Sequence, residues 1–135
     1  MRSDLSPAIR EFLDEPGHFA VIATVNADGS PHQAVVWYAR RGDTVLVNAR
    51  DGRRWAANAR RTGCMSVAIA SAYDYVMLFG PVVVVDDADV ADADIRSLAR
   101  RYADDEGQFR GQRRMSFVLH PERVGVHGRL AAEAE

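Results

Sequence analysis

The chain has 135 residues, 47% of them apolar, a net charge of −2 and a pI near 6.1. That size fits one compact domain with its own core, and the near-neutral charge offers no global attraction to nucleic acid. All 17 basic residues are arginine, which excludes a lysine Schiff base and any phosphate loop built on a lysine, and a single cysteine, Cys64, excludes an internal disulfide.

In chain order, Ser6 followed by Pro7 is a helix start, and Ile9, Phe12 and Leu13 form one apolar stripe before Pro16 and Gly17. Residues 1–17 therefore read as an N-terminal cover helix. His18 to Val25 reads as a buried strand, Asn26 to Ser30 as a hairpin turn, and Pro31 to Arg40 as the returning strand. Arg41, Gly42 and Asp43 turn the chain into a strand from Thr44 to Asn48. A helix over Arg53 to Thr62 follows, with Asp51 as its expected N-cap and Gly63 as its stop.

Two longer strands come next, Met65 to Ser71 and Tyr75 to Val85, joined at Ala72 to Asp74. Five or six strands in meander order point to a closed barrel. Asp89 to Tyr102 carries apolar residues at helical spacing, acidic early and basic late, as the helix dipole favours. A polar connector from Asp104 to Gln112 leads to final strands Arg114 to Leu119 and Arg123 to His127. The remaining tail, 129–135, is expected to fray. The apolar run Val82 to Val85 stops at Asp86, far short of the roughly 20 residues that cross a bilayer. The N-terminus MRSDLSPAIREF lacks the apolar run of a secretory signal. A cytoplasmic protein without membrane or nucleic-acid partners is expected.

The most informative segment is Val45 to Gly63, a strand running into an arginine-loaded loop and a short helix. With Gly52, Arg53 and Arg54 at the first helical turn, unpaired backbone N–H groups and the dipole favour a phosphate, and Arg50, Arg53 and Arg54 add guanidinium forks. The four histidines are too scattered for a metal site, so no metal is expected. The acidic run from Asp86 to Asp94 lacks the offsets of a calcium loop and reads as a solvated helix start. Cys64 reads as a buried, inert thiol, and Trp37 as a core or interface aromatic.

The ordered segments NADGSPHQAVVWY, VLVNARDGRRWAANARR, YDYVMLFGPVVVV and HPERVGVHG resemble the pyridoxamine 5'-phosphate oxidase-like split β-barrel superfamily, over about Phe19 to Gly128. Within it the chain looks most like the flavin/deazaflavin oxidoreductases, which include enzymes using coenzyme F420. Asp28, Gly29, Pro31, Val36, Trp37, Arg53, Asn58 and Gly80 match that group's pattern. The resemblance implies a mainly β fold with flanking helices, a split barrel of the FMN-binding type, and a homodimer with its cofactor in a groove between two barrels. It implies that the Arg50 to Arg54 loop holds the phosphate, that Asn48 and Ala49 line the ring edge, and that His32, Gln33, Ala34 and Val35 run beside the tricyclic ring. Tyr73, Tyr75 and Met77 are then supplied by the second subunit. The group often carries lysine three residues before the helix asparagine, Asn58; here that position is Trp55, with Arg54 beside it.

The expected function is a coenzyme F420-dependent oxidoreductase that passes hydride to a small conjugated organic substrate. The alternatives are an FMN-dependent enzyme of the same fold and a non-catalytic protein that binds a cofactor or haem. Cofactor chemistry needs no triad or paired carboxylates; His32, Tyr73 and Tyr75 are the candidate proton donors.

Overall fold

Ser6 accepts a hydrogen bond from the Ile9 backbone N–H and Pro7 has no N–H to leave unpaired, so helix α1 (Pro7–Asp14) begins there. Its Ile9, Phe12 and Leu13 are buried, each contributing about 1.5–3 kcal/mol. The computed structural model describes residues 5–134. After α1 come β1 (Ala20–Val25), β2 (Pro31–Val36), β3 (Ala39–Arg41), β4 (Thr44–Arg50) and α2 (Arg54–Thr62). The chain continues through β5 (Cys64–Ser71), β6 (Asp74–Val85), α3 (Ala88–Arg101), a 3₁₀ turn at Glu106–Phe109, β7 (Arg114–Leu119), β8 (Arg123–His127) and α4 (Arg129–Ala134).

The strands pair antiparallel along the path β2-β1-β5-β6-β7-β4-β3, with β8 added on β6. This is not the closed meander expected from the strand order. Strands β2 and β3 are the two ends of the path, so the barrel is split between them. The cause lies at Trp37 and Tyr38. The strand expected over Pro31 to Arg40 stops at Val36, which pairs with Ala20, and pairing resumes only at Ala39, opposite Leu46. Between them Tyr38 turns fully inward and donates its hydroxyl to the Leu13 carbonyl at 2.7 Å, with the Arg101 guanidinium 5.1 Å from its ring.

Strand β6 is long enough to serve both halves of the barrel. Residues Tyr75 to Phe79 pair with β8, whereas Val82 to Val85 pair with β7 on the same edge. The chain crosses from β7 to β8 along that same edge of β6, and this crossover runs beside Gly80, where an added Cβ would stand 2.0 Å from the His120 carbonyl oxygen. The backbone bonds from His120 N–H to Pro81 O (2.9 Å) and from Glu122 N–H to Phe79 O (2.8 Å) fix that crossing. Gly80 is therefore required by close approach of two backbones, as a glycine inside a strand often is.

Helix α2 ends as expected, with Gly63 in the left-handed region (φ 74°) and its N–H on Ala59 O. Helix α3 is capped by Asp87, whose carboxylate accepts from Asp89 and Val90 N–H. The tail, expected to fray, instead forms α4, with Leu130 buried against the core; Glu135 and Met1 to Asp4 lie outside the described residues. No helix among the described residues is long and apolar enough to cross a membrane.

Candidate functional site

Strand β4 extends two residues past its expected end because it pairs with β7 as far as Arg50 opposite Arg114. Asp51 and Gly52 (φ 97°) then form the turn. Asp51 is thus not the helix cap. Its backbone N–H donates to Arg113 O and its carboxylate lies 3.8 Å from the Arg113 guanidinium, while the N-cap position falls to Arg53, which gives no side-chain cap. The uncapped start of α2 and the β4–β7 ladder bring Arg50, Arg53 and Arg114 to one end of a cavity of about 600 Å³ that sits at the split in the barrel.

The opposite walls are apolar. Ala34, Val35 and Val36 of β2 line one side, with Trp37 following them, and Ile95 and Leu98 of α3 line another. Phe19 and Phe109 complete the aromatic rim. Trp37 is half-buried rather than a core residue: it stacks on Tyr102 (5.2 Å between centroids, 9° between planes) and meets Phe109 edge-on at 6.1 Å. These are the stacked and edge-on geometries that aromatic pairs prefer.

The polar end is built around Arg114. Its Nε donates to Asn48 Oδ1 at 2.7 Å and its Nη1 to Gln112 Oε1 at 2.6 Å, with the guanidinium 4.9 Å from the Phe109 ring. Burial first, and then the positive charges of Arg53 and Arg50, hold this guanidinium below the usual arginine range. Among the described residues none of Arg50, Arg53 and Arg114 makes an ion pair. The described lining holds no aspartate, glutamate, histidine, tyrosine, serine or cysteine. The cavity can therefore bind an anion and flank an apolar plane, but it has no general base or nucleophile of its own.

Of the residues expected at the site, Ala34, Val35, Asn48, Ala49, Arg50, Arg53 and Trp55 line this cavity. Trp55 does so from within the core, 5% exposed and tilted on Phe117, rather than as an exposed stacking plate. Asn48 is a buried wall residue locked to Ala91 O, Ser116 and Arg114. The others lie elsewhere. Arg54 is not in the lining, and its charge is felt only weakly at the β1–β2 turn. There the Asp28 carboxyl is held below its ordinary range by the Ser30 hydroxyl and N–H, with a smaller contribution from Arg54. Asn58 is buried and tied to the same turn through Thr24 Oγ1 (3.2 Å) and Asn26 Oδ1 (2.9 Å).

His32 and Gln33 occupy the far half of β2 and do not reach the lining. Tyr73 lies in the two-residue turn before β6, beside Ala72 with φ 54°, and is 85% exposed. Tyr75 stacks on His127 at 4.9 Å and Met77 points outward from the sheet. None of these three lines the cavity in one chain. Cys64 is half-buried and free, and no group of three or more metal-ligating side chains occurs among the described residues.

The sequence reading missed Arg114, Gln112 and Phe109, which arrive from beyond α3. The available signal was the pair Arg113–Arg114 opening a strand, just as Arg53–Arg54 opens a helix.

Comparison with known proteins bears on the fold. The family model described as pyridoxamine 5'-phosphate oxidase matches residues 5–128. Among solved structures the chain is similar to an F420 reductase, at 22% identity over 85% of this chain and 94% of that one, with a TM-score of 0.76. It is also similar to the conserved hypothetical protein Rv2991 from Mycobacterium tuberculosis (20% identity, 98% and 92% covered, TM-score 0.78). HupZ of Group A Streptococcus is a third such structure (15% identity, 90% and 93% covered, TM-score 0.69). At these identities the likeness is one of fold. No curated protein matches the chain.

Proposed function

The chain belongs to the pyridoxamine 5'-phosphate oxidase family, and from that premise we propose that it is an oxidoreductase whose cavity holds a phosphate-bearing deazaflavin, coenzyme F420, and reduces a small conjugated organic substrate. The observation that carries this reading is the lining itself: an apolar, aromatic-walled cavity of about 600 Å³, inside the usual range for cofactor sites, that ends in unpaired arginines and has no acid–base side chain among the described residues. Chemistry at such a site has to come from what is bound there. The cofactor supplies hydride transfer; the chain's residues bind and orient it.

Arg50, Arg53 and Arg114 are the residues that would neutralise the phosphate. Val35, Val36, Trp37 and Phe109 would flank the ring and keep water from it. FMN is the second reading. With Arg54 outside the lining and Trp55 sunk in the core, the cavity has three arginines, and the shorter FMN tail needs fewer cations.

A second copy of the chain belongs to the same proposal. Val35, Val21, Ala68, Met77 and Gly125 form one register row across β2, β1, β5, β6 and β8, on the face away from the core. Val35 is 69% and Met77 46% exposed, and Val35 also lines the cavity, so this apolar face and the site are continuous. A homodimer through it would bring Tyr73, Tyr75 and Met77 toward a neighbouring cavity, and with them two of the candidate proton donors, Tyr73 and Tyr75, which do not line the cavity of their own chain.

The absorption spectrum and mass of the small molecule that copurifies test the reading. A deazaflavin or flavin with its phosphate supports it, together with turnover of enones or quinones. A copurifying tetrapyrrole, or cofactor binding with no turnover of any such substrate, overturns it in favour of a non-catalytic carrier.

A further inference from the structure

Resting on the cofactor-groove reading, we infer that Arg114 is the residue by which the cavity selects a ligand that bears a phosphate group, and that Asn48 is the residue that positions it. A half-buried guanidinium normally meets a carboxylate, because a charge withdrawn from water without a counter-charge is costly. Arg114 meets none among the described residues. Its partners are neutral: Asn48 Oδ1 at 2.7 Å, Gln112 Oε1 at 2.6 Å and the Phe109 ring.

An acid does lie close by, and the fold keeps it from Arg114. Asp94 is buried, but one oxygen is taken by Arg41 Nη1 (2.9 Å) and the other by Ser116 Oγ (2.6 Å). Asn48 stands between Ser116 and Arg114. Its Nδ2 donates to Ala91 O (3.0 Å) and to Ser116 Oγ (3.1 Å), so only its Oδ1 is left to face Arg114. The amide thus fixes the guanidinium without neutralising it. Arg114 Nη2 makes no hydrogen bond among the described residues. The charge and that open edge remain for a ligand, beside Arg50 and Arg53. A guanidinium fork with a fixed plane suits phosphate oxygens better than a point charge does. Asn48 is therefore a positioning residue, not a contact to the ring edge.

FMN and riboflavin share a ring system and differ by the phosphate, so their affinity ratio isolates this contact. In fluorescence titrations Arg114→Gln is expected to weaken FMN at least about tenfold while riboflavin changes by less than about twofold. Asn48→Asp, which puts a carboxylate where the neutral Oδ1 now meets Arg114, is expected to give the same selective loss. A destabilised fold lowers both affinities together and leaves their ratio unchanged. Loss of both ligands in parallel, or of neither, overturns the assignment.

Failure of the cofactor-groove reading looks different, because wild-type protein then binds neither flavin nor deazaflavin. In that case the Arg114 side-chain Nε–H NMR signal decides. A shift on adding pyrophosphate to wild type but not to Asn48→Asp upholds the clamp, and a signal unmoved in both overturns it.

Discussion

Arg53 and Arg54 are adjacent in sequence, yet only one of them faces the cavity. Arg53 lines it from the N-cap position of α2; Arg54, one residue on, does not. Arg53→Glu is accordingly expected to weaken FMN or F420 binding at least about tenfold, roughly 1.4 kcal/mol, and Arg54→Glu to change it by less than about twofold. Equal effects in the same titration would contradict the assignment of Arg53 alone to the anion end. The basic loop was legible from Val45 to Gly63 because its arginines are neighbours in sequence. Which of them face the cavity was not, since that depends on β4 continuing to Arg50 and delaying the helix. Arg114 was illegible for a related reason: it reaches Asn48 across 66 positions of chain, through a strand pairing that periodicity does not reveal.

Tyr38 carries a prediction at the same scale. Burial pushes its hydroxyl up to about 12, against the opposing charge of Arg101, while an exposed tyrosine titrates near 10. Its folded form thus holds the proton more tightly than the unfolded chain does. The stability linked to this group is fully present below about pH 10 and is lost as pH rises toward about 12. Urea unfolding followed between those values should show that decline. Tyr38→Phe is expected to cost about 1 kcal/mol at neutral pH, from the lost bond to Leu13 O, and to flatten the alkaline fall. An unchanged alkaline slope in the variant would assign the decline to another group.

At the scale of elements, the expected helices and most strands are found where their signals lie: Ser6–Pro7 starts α1, Gly63 stops α2, and Asp87 caps α3. The errors occur where tertiary contact overrides local pattern. The apolar alternation through Val35, Val36, Trp37 and Tyr38 reads as one strand, yet Tyr38 leaves the sheet for the Leu13 carbonyl and opens the barrel. Tail residue Leu130 is held by the core, which no local signal announces. Gly80 is the position where element packing is least forgiving, since the crossover backbone fills the space a side chain would need. Gly80→Ala is expected to lower stability by about 3 kcal/mol or more in urea unfolding and to loosen β8 from β6. A loss under about 1 kcal/mol would mean that the β7–β8 crossover yields easily, contrary to the paired bonds that fix it.

For the whole molecule, one structural fact joins fold to function: the sheet path ends at β2 and β3, and the cavity lies at that opening, next to an outward apolar row. Met77 stands next to the end of the row and pairs with Gly125, which leaves its side chain uncovered on one chain. Met77→Glu places a charge there and is expected to break the proposed homodimer into monomers in sedimentation, and with it to weaken cofactor binding. A monomeric wild type, or a variant whose assembly is unchanged, contradicts the proposed role of that face. The split-barrel class was legible in the order of motifs. The position of the split and the second set of cavity walls needed the three-dimensional pairing of β4 with β7.

The arginine-ended cavity is proposed to hold a phosphate-bearing, flavin-like cofactor. The most direct test is a fluorescence titration of wild-type and Arg53→Glu protein with coenzyme F420 and with FMN. Saturable wild-type binding of F420, or of FMN as the second reading, weakened at least about tenfold by the charge reversal, is the expected result. Binding of neither cofactor, or binding indifferent to Arg53→Glu, would contradict it.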